Sequence, residues 1–313
     1  MSVSLAYGLA IAIWSTTPLA IVFSNDSISP LMSAFLRMTL AAMLGSVLLR
    51  LLALELRWHW RALKAYLASV VGIFGAMAAT YQAAQWIPSG LISVLFGLTT
   101  IVTGLLGHFL LENSRLTLKQ WGAVFMGVAG LAIVFTDQIL VSGFGIKGIL
   151  FSLLAVFLFS ISNVLMKIYG GHLHPLQQTV GALWVSLPFY VLACLVTGTG
   201  LVISEITLTS VAGVTYLAVF GSLVGFVAYF YLISHLPPAY VSLITLITPV
   251  LALMLGNQLN NEPVTIKMLS GAAVILLSML FFMGDHFRVA VERRKSKEST
   301  AVTDVHALSD KAQ

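Results

Sequence analysis

The chain has 313 residues, of which 59% are hydrophobic and only 9% charged. That balance excludes an ordinary water-soluble domain, which needs roughly a quarter charged residues to cover its surface. The net charge of +5 does not indicate nucleic acid, because six of the 16 Lys and Arg lie in the last 26 residues and most others fall in short breaks between apolar runs.

A hydrocarbon core about 30 Å thick is crossed by roughly 20 apolar residues in a helix, since the backbone must satisfy its hydrogen bonds internally. Ten such runs are predicted, at 3–23, 30–54, 65–84, 88–111, 120–136, 148–169, 176–198, 210–234, 238–257 and 266–284. No basic segment precedes the first run, so Val3 onward is expected to be a retained helix and not a signal peptide. Asn25-Asp26, Ile87-Pro88 and Pro237-Pro238 separate successive runs, each a helix stop followed by a preferred start. Cys194, the only cysteine, excludes an intramolecular disulfide and reads as a small buried side chain.

Alternate breaks differ sharply in charge. One set holds Arg50, Arg57, Arg61, Lys64, Arg115, Lys119 and Lys167, and the other only Lys147 and Lys267. Basic residues are retained in the cytoplasm, so both termini are expected there and residues 139–146 outside. The tail beyond Asp285 opens with Arg288, Arg293, Arg294, Lys295 and Lys297 and then turns polar, which predicts disorder with a basic part against anionic lipid.

The chain also repeats itself. Ser93, Gly107 and Gly122 recur as Ser242, Gly256 and Gly271 at an offset of 149 residues, and Glu112 recurs as Glu262 with one residue of slippage. Five runs per copy, an odd number, force the second copy into the membrane upside down. The expected fold is therefore an all-α integral membrane protein of about ten transmembrane helices, built as two inverted five-helix repeats over 1–140 and 141–284, with a disordered cytoplasmic tail over 285–313.

Specific motifs accompany the duplication. Gly107-His108-Phe109-Leu110-Leu111-Glu112, Arg115-Leu116-Thr117 and Gln120-Trp121-Gly122 close the first half, and Pro249, Gly256, Glu262 and Gly271 mark the second. Trp14-Ser15 and Phe159-Ser160 give an aromatic-small step in the first and sixth runs, and Leu36-Arg37-Met38 lies in the second. In this order they resemble the EamA-type ten-helix members of the drug/metabolite transporter superfamily. The chain departs from the family pattern at Leu98-Thr99-Thr100, where proline is common, and at Asn113-Ser114, which separates Glu112 from Arg115. The resemblance implies export or exchange of amino acids, other metabolites or drugs across a bacterial inner membrane, through a central cavity between the repeats.

Arg37 is the one charged residue well inside a predicted run. A cation at that depth costs roughly 2.5 to 3.5 kcal/mol on insertion scales and must face protein or water. Bracing by carbonyls or a facing polar side chain is the preferred reading, and docking of a substrate carboxylate the other. Glu112 and Glu262 fall at run ends and are expected to anchor loops, with no carboxylate near a run centre to serve an obligatory cation/proton antiporter.

A metabolite cavity combines apolar walls with a few hydrogen-bonding groups. The candidates are Trp14, Ser15, Thr17, Tyr81, Gln82, Thr99, Thr100 and Thr103 in the first half, and Ser162, Asn163, Trp184, Tyr229, Tyr231, Thr245 and Thr248 in the second. Each has a structural alternative, because Ser and Thr also serve helix packing and Trp and Tyr favour the interface. Gly221 and Gly225 form a small-residue face suited to close helix contact. His172 and His174 lack a second ligand pair, and no nucleophile elbow, HExxH or phosphate loop occurs, so no catalytic residue, metal or cofactor is expected.

The expected activity is secondary transport of a small metabolite, such as an amino acid, by alternating access, with proton coupling left open. The expected partners are that substrate and the bilayer, and no nucleic acid. An integral-membrane enzyme would need a cluster of reactive side chains at one face. A lipid-binding or receptor-like protein would not need the inverted duplication.

Overall fold

A computed structural model describes residues 2–110, 116–141, 145–169, 173–200, 206–225, 228, 231–232 and 238–284. Glu112, Tyr229, residues 142–144 and the tail over 285–313 lie outside the described residues.

Among the described residues the chain is helical and has no strand. Eight helices are long and apolar enough to span a membrane: α1 (Val3–Ser24), α2 (Pro30–Leu51), α3 (Trp60–Ala83), α4 (Ser89–Leu110), α5 (Leu118–Val141), α6 (Gly145–Tyr169), α7 (Pro175–Thr197) and α10 (Ile266–Gly284). Two further apolar helices, α8 (Leu208–Val224) and α9 (Pro238–Asn260), complete a set of ten. Short connections make successive helices run in opposite directions, so α1 and α6 start at opposite faces. The face where α1 ends and α2 begins is called the upper face below.

Local chemistry fixes the helix ends. Ser2 accepts from the Leu5 N–H, Thr207 from Ser210 and Thr265 from Met268. Thr117 and Gln120 cap α5 reciprocally, as His174 and Gln177 cap α7. Pro30 and Pro175 each occupy a first helical position, where a missing N–H costs nothing. Large apolar side chains face outward, Phe125 and Leu195 among them at 69% and 74% exposed, as expected where the surrounding solvent is lipid.

The main packing partners map onto themselves when the halves are exchanged. Helix α1 packs on α8 as α6 packs on α3, α1 on α9 as α6 on α4, and α2 on α8 as α7 on α3, while α2–α7 and α4–α9 pair across the two halves. The correspondence reaches single residues. A Cβ placed on Gly72 of α3 would lie 2.9 Å from the Ser162 hydroxyl, and one on Gly221 of α8 would lie 3.7 Å from the Thr17 hydroxyl. Gly75 likewise faces Leu158, and Gly225 just past α8 faces Ile13.

Both α3 and α8 widen into π-helix, over Val71–Ala76 and Leu217–Val224, at equivalent places in the two halves. The π turn inserts a residue and re-aims its neighbours, a feature frequent at functional sites. Helix α4 is interrupted at Leu98 without a proline, whereas α9 continues through Pro249. Helix α5 reaches Val141, past the expected end at 136, and carries Asp137 inside its last turns, buried and accepting from the Thr265 hydroxyl at 2.7 Å. The aspartate interrupts the apolar run without ending the helix.

Candidate functional site

The α1 sequence Trp14-Ser15-Thr16-Thr17-Pro18 crowds hydroxyls beside a proline that cannot donate to the carbonyl four residues back. Thr17 turns its hydroxyl onto the Ile13 carbonyl at 2.7 Å, and Thr16 bonds Ala12 at 2.8 Å and lies 2.6 Å from the Tyr216 hydroxyl. Ser15 is buried, and its hydroxyl has no hydrogen-bond partner. Trp14 is half-buried against Ala6, Ala10, Leu232 and Ile244.

Arg37 lies seven residues into α2, about 10 Å from its start along the axis. It is 4% exposed. Its Nε donates to the Ser222 hydroxyl at 3.2 Å, in the π turn of α8, while its Nη1 is buried with no partner. A Cβ on Gly221 would come within 3.2 Å of Nη2, so glycine leaves the room this guanidinium needs. No carboxylate pairs with Arg37 among the described residues.

Tyr81 of α3 is fully buried with Met38, Ala34, Leu183 and Tyr190, and its hydroxyl also lacks a partner. Its carbonyl accepts from the Asn25 side chain at 3.1 Å, which ties it to the α1–α2 connection. The neighbouring Tyr190 hydroxyl is engaged, donating to the Ile73 carbonyl of the π turn at 2.7 Å. Tyr190 belongs to the same buried cluster as Tyr81. Arg37 Nη1 and Tyr81 Oη are thus two buried donors without acceptors, and Tyr81 packs with Ala34 and Met38 of α2, the helix that carries Arg37.

Beside this region, at the upper face, a cavity of about 420 Å³ is lined by Val22, Ala84, Gln85, Trp86 and Glu262 among others. Ala84 also packs against the cluster that holds Tyr81. The Lys147 ammonium sits 5.1 Å over the Trp86 ring at the cavity edge. Glu262 is buried and accepts from the Ser89 hydroxyl at 2.9 Å, the Gly90 N–H at 3.4 Å and Asn260 at 3.1 Å. A carboxylate at the start of α4 complements the orphan N–H groups there, so Glu262 fastens the α9–α10 connection to α4.

The remaining candidates divide. Thr99 and Thr103 of α4 carry hydroxyls with no partner, Thr100 is half-buried beside them, and Ser160 of α6 donates to the Thr99 carbonyl at 3.4 Å. Ser162 is buried in the α3–α6 contact and donates to the Ala68 carbonyl at 2.8 Å. Asn163 faces outward, and Trp184 is 38% exposed with its indole bonded to Ser46 at 2.9 Å on the flank of α2. Gln82 is half-buried near the end of α3, Thr245 is half-buried in α9 and Thr248 is buried there. Thr17 and Arg37 thus meet at Gly221 of α8 and Tyr81 packs on α2 nearby, whereas Trp14 lies in a separate cluster and the α4 threonines sit against α6.

Four further residues shape the site without having been singled out from the sequence: Ser222, Tyr190, Ser89 and Asp137. Ser222 could have been found as the polar member of the Gly221–Gly225 small face. Tyr190 sits in a long apolar run that carries no such signal.

The EamA-like transporter family matches residues 2–136 and again 146–284. An uncharacterized inner membrane transporter of Escherichia coli K12, YedA, is 27% identical over 285 residues, covering 88% of both chains. An uncharacterized transporter of Archaeoglobus fulgidus is 24% identical, over 87% of this chain and 95% of its own. A probable amino-acid metabolite efflux pump of Escherichia coli K12 is 24% identical over 66% of this chain and 71% of its own. A solved crystal structure superposes with a TM-score of 0.64 at 17% identity, over 90% of this chain and 97% of that one, and so shares the fold. With both halves matched by one family over residues 2–136 and 146–284, the chain belongs to the EamA-like transporter family.

Proposed function

We propose that this protein is a secondary transporter that moves a small metabolite, an amino acid or a related compound, across the cytoplasmic membrane by alternating access, in export or exchange. One observation carries the reading. The two halves pack through equivalent contacts, α1 and α2 on α8 as α6 and α7 on α3, and near these helices they bury polar groups that nothing among the described residues satisfies. Groups left unsatisfied at a cost of about 1–3 kcal/mol each are expected where a ligand completes them. Exchange-related halves also supply two packings of similar energy, one open to each side. The amino-acid assignment is supported by one relative, the probable amino-acid metabolite efflux pump of Escherichia coli K12.

The upper face is assigned to the outside and both termini to the cytoplasm, on the asymmetry of basic residues. Substrate and bilayer are the partners in this reading, and coupling to protons is left to experiment. The test is uptake by purified protein in liposomes, screened against an amino-acid panel with and without a proton gradient. Uptake of at least one amino acid above protein-free liposomes is expected. Folded protein that moves none of them in either condition contradicts the reading.

A further inference from the structure

We propose that Arg37 and Tyr81 form an anion subsite that takes the carboxylate of the transported metabolite. This rests on the transport reading above and adds the substrate's chemical class.

A guanidinium has five N–H donors and a charge that cannot be removed. Arg37 is buried to 96%, one of its donors is met by a neutral serine hydroxyl, Nη1 is unmet, and no carboxylate balances the charge among the described residues. Buried charges persist when paired and hydrogen-bonded, so the missing group is an anionic acceptor. Tyr81 supplies a second unmet donor in the adjoining cluster. Bracing alone does not account for that hydroxyl, because a structural tyrosine at this position could donate to a carbonyl as Tyr190 does. A planar carboxylate accepts from a guanidinium edge and a phenol together.

The surroundings suit entry of such a group. Gly221 and Gly225 present little bulk where α8 lies on α1 and α2. The 420 Å³ cavity adjoins the cluster, with Lys147 at its edge. Nη1 is sealed from solvent in the present packing, so binding requires α8 to move off α1 and α2, as alternating access would have it do.

The test uses full-length protein in liposomes, with an amino-acid panel and the carboxamide of whichever member moves fastest, in chloride and in isethionate. Wild type is expected to move the acid about tenfold faster than the amide, the worth of one charge-assisted hydrogen bond. Arg37→Gln should bring the two rates together, and Arg37→Lys should keep part of the preference. Tyr81→Phe guards against a folding defect, because the hydroxyl it removes has no partner. It should retain wild-type folded yield and lower the acid-to-amide ratio by about threefold or more. An acid-to-amide ratio near one in wild type, or a ratio unchanged in folded Tyr81→Phe, overturns the subsite. Transport that depends on chloride and ignores the substrate carboxylate also overturns it, by assigning the site to chloride. Absence of any amino-acid transport by folded wild type is a different result, which refutes the transport reading and this inference with it.

Discussion

Arg37 Nε donates to the Ser222 hydroxyl at 3.2 Å, across two helices from opposite halves of the chain, while Nη1 of the same guanidinium has no acceptor. Bracing and ligand docking are therefore not alternatives at this residue. One edge holds α2 to the π turn of α8, and the other is left for something else.

The brace is tested by Ser222→Ala. Removing the serine acceptor of a buried charge is expected to cost about 1.5–3 kcal/mol. It should appear as a lower unfolding temperature in detergent, without a change in the ratio of carboxylated to amidated substrates among the protein that remains folded. Unchanged thermal stability would mean that Ser222 does not hold Arg37.

The equivalent glycines Gly122 and Gly271 are expected to respond differently. A Cβ on Gly122 meets nothing within 4 Å, whereas one on Gly271 would lie 2.6 Å from the Val134 side chain and 3.0 Å from the Gly130 carbonyl. Gly122→Ala should be neutral or mildly stabilising, by up to about 1 kcal/mol. Gly271→Ala should destabilise by about 1–3 kcal/mol through overpacking of α5 on α10. Thermal unfolding of the two variants decides it, and equal responses would contradict the packing described.

Glu262 closes the upper end of α4 through Ser89 and Gly90, with Gly256 leaving room for it. Glu262→Ala should cost about 2 kcal/mol, since it strips a helix N-terminus of its carboxylate and leaves a buried serine unpaired. In the Ser89→Ala background the same substitution should cost distinctly less, because the pair acts as a unit. Fully additive losses in the double variant would show that the two do not interact.

Orientation is read by labelling with an impermeant thiol reagent in intact cells, where the native Cys194 is buried and silent. A cysteine at Gly200, exposed at the upper face with nothing within 4 Å, should react. One at His59, at the basic face, should react only after the cells are opened. The reverse pattern would invert the topology.

Much of the fold is legible in the sequence, because lipid imposes apolar runs of fixed length and prolines mark their ends. Ile87-Pro88 and Pro175 stand where helices stop and start in the structure. The π turns at Val71–Ala76 and Leu217–Val224 were not legible, since a shift of hydrogen-bond register leaves composition unchanged. Arg37 announced itself as a charge in an apolar run, yet its partner is 185 residues away and is a common residue type. Trp184 and Trp14 look alike as sequence. Only packing tells that the first is bonded to Ser46 on the α2 flank while the second packs against Leu232 and Ile244.

The central claim is that the buried polar groups of α1, α2 and α3, Ser15, Arg37 and Tyr81 among them, open to each side of the membrane in turn. Ser15 is 1% exposed, and its unpartnered hydroxyl makes Ser15→Cys a conservative probe. In a Cys194→Ser background, reconstituted in one orientation, the rate of modification by a charged methanethiosulfonate is measured from each face separately. The account predicts modification from both faces, slowed from both by a transported amino acid. Reaction from one face only, or at a rate that substrate does not change, would contradict it.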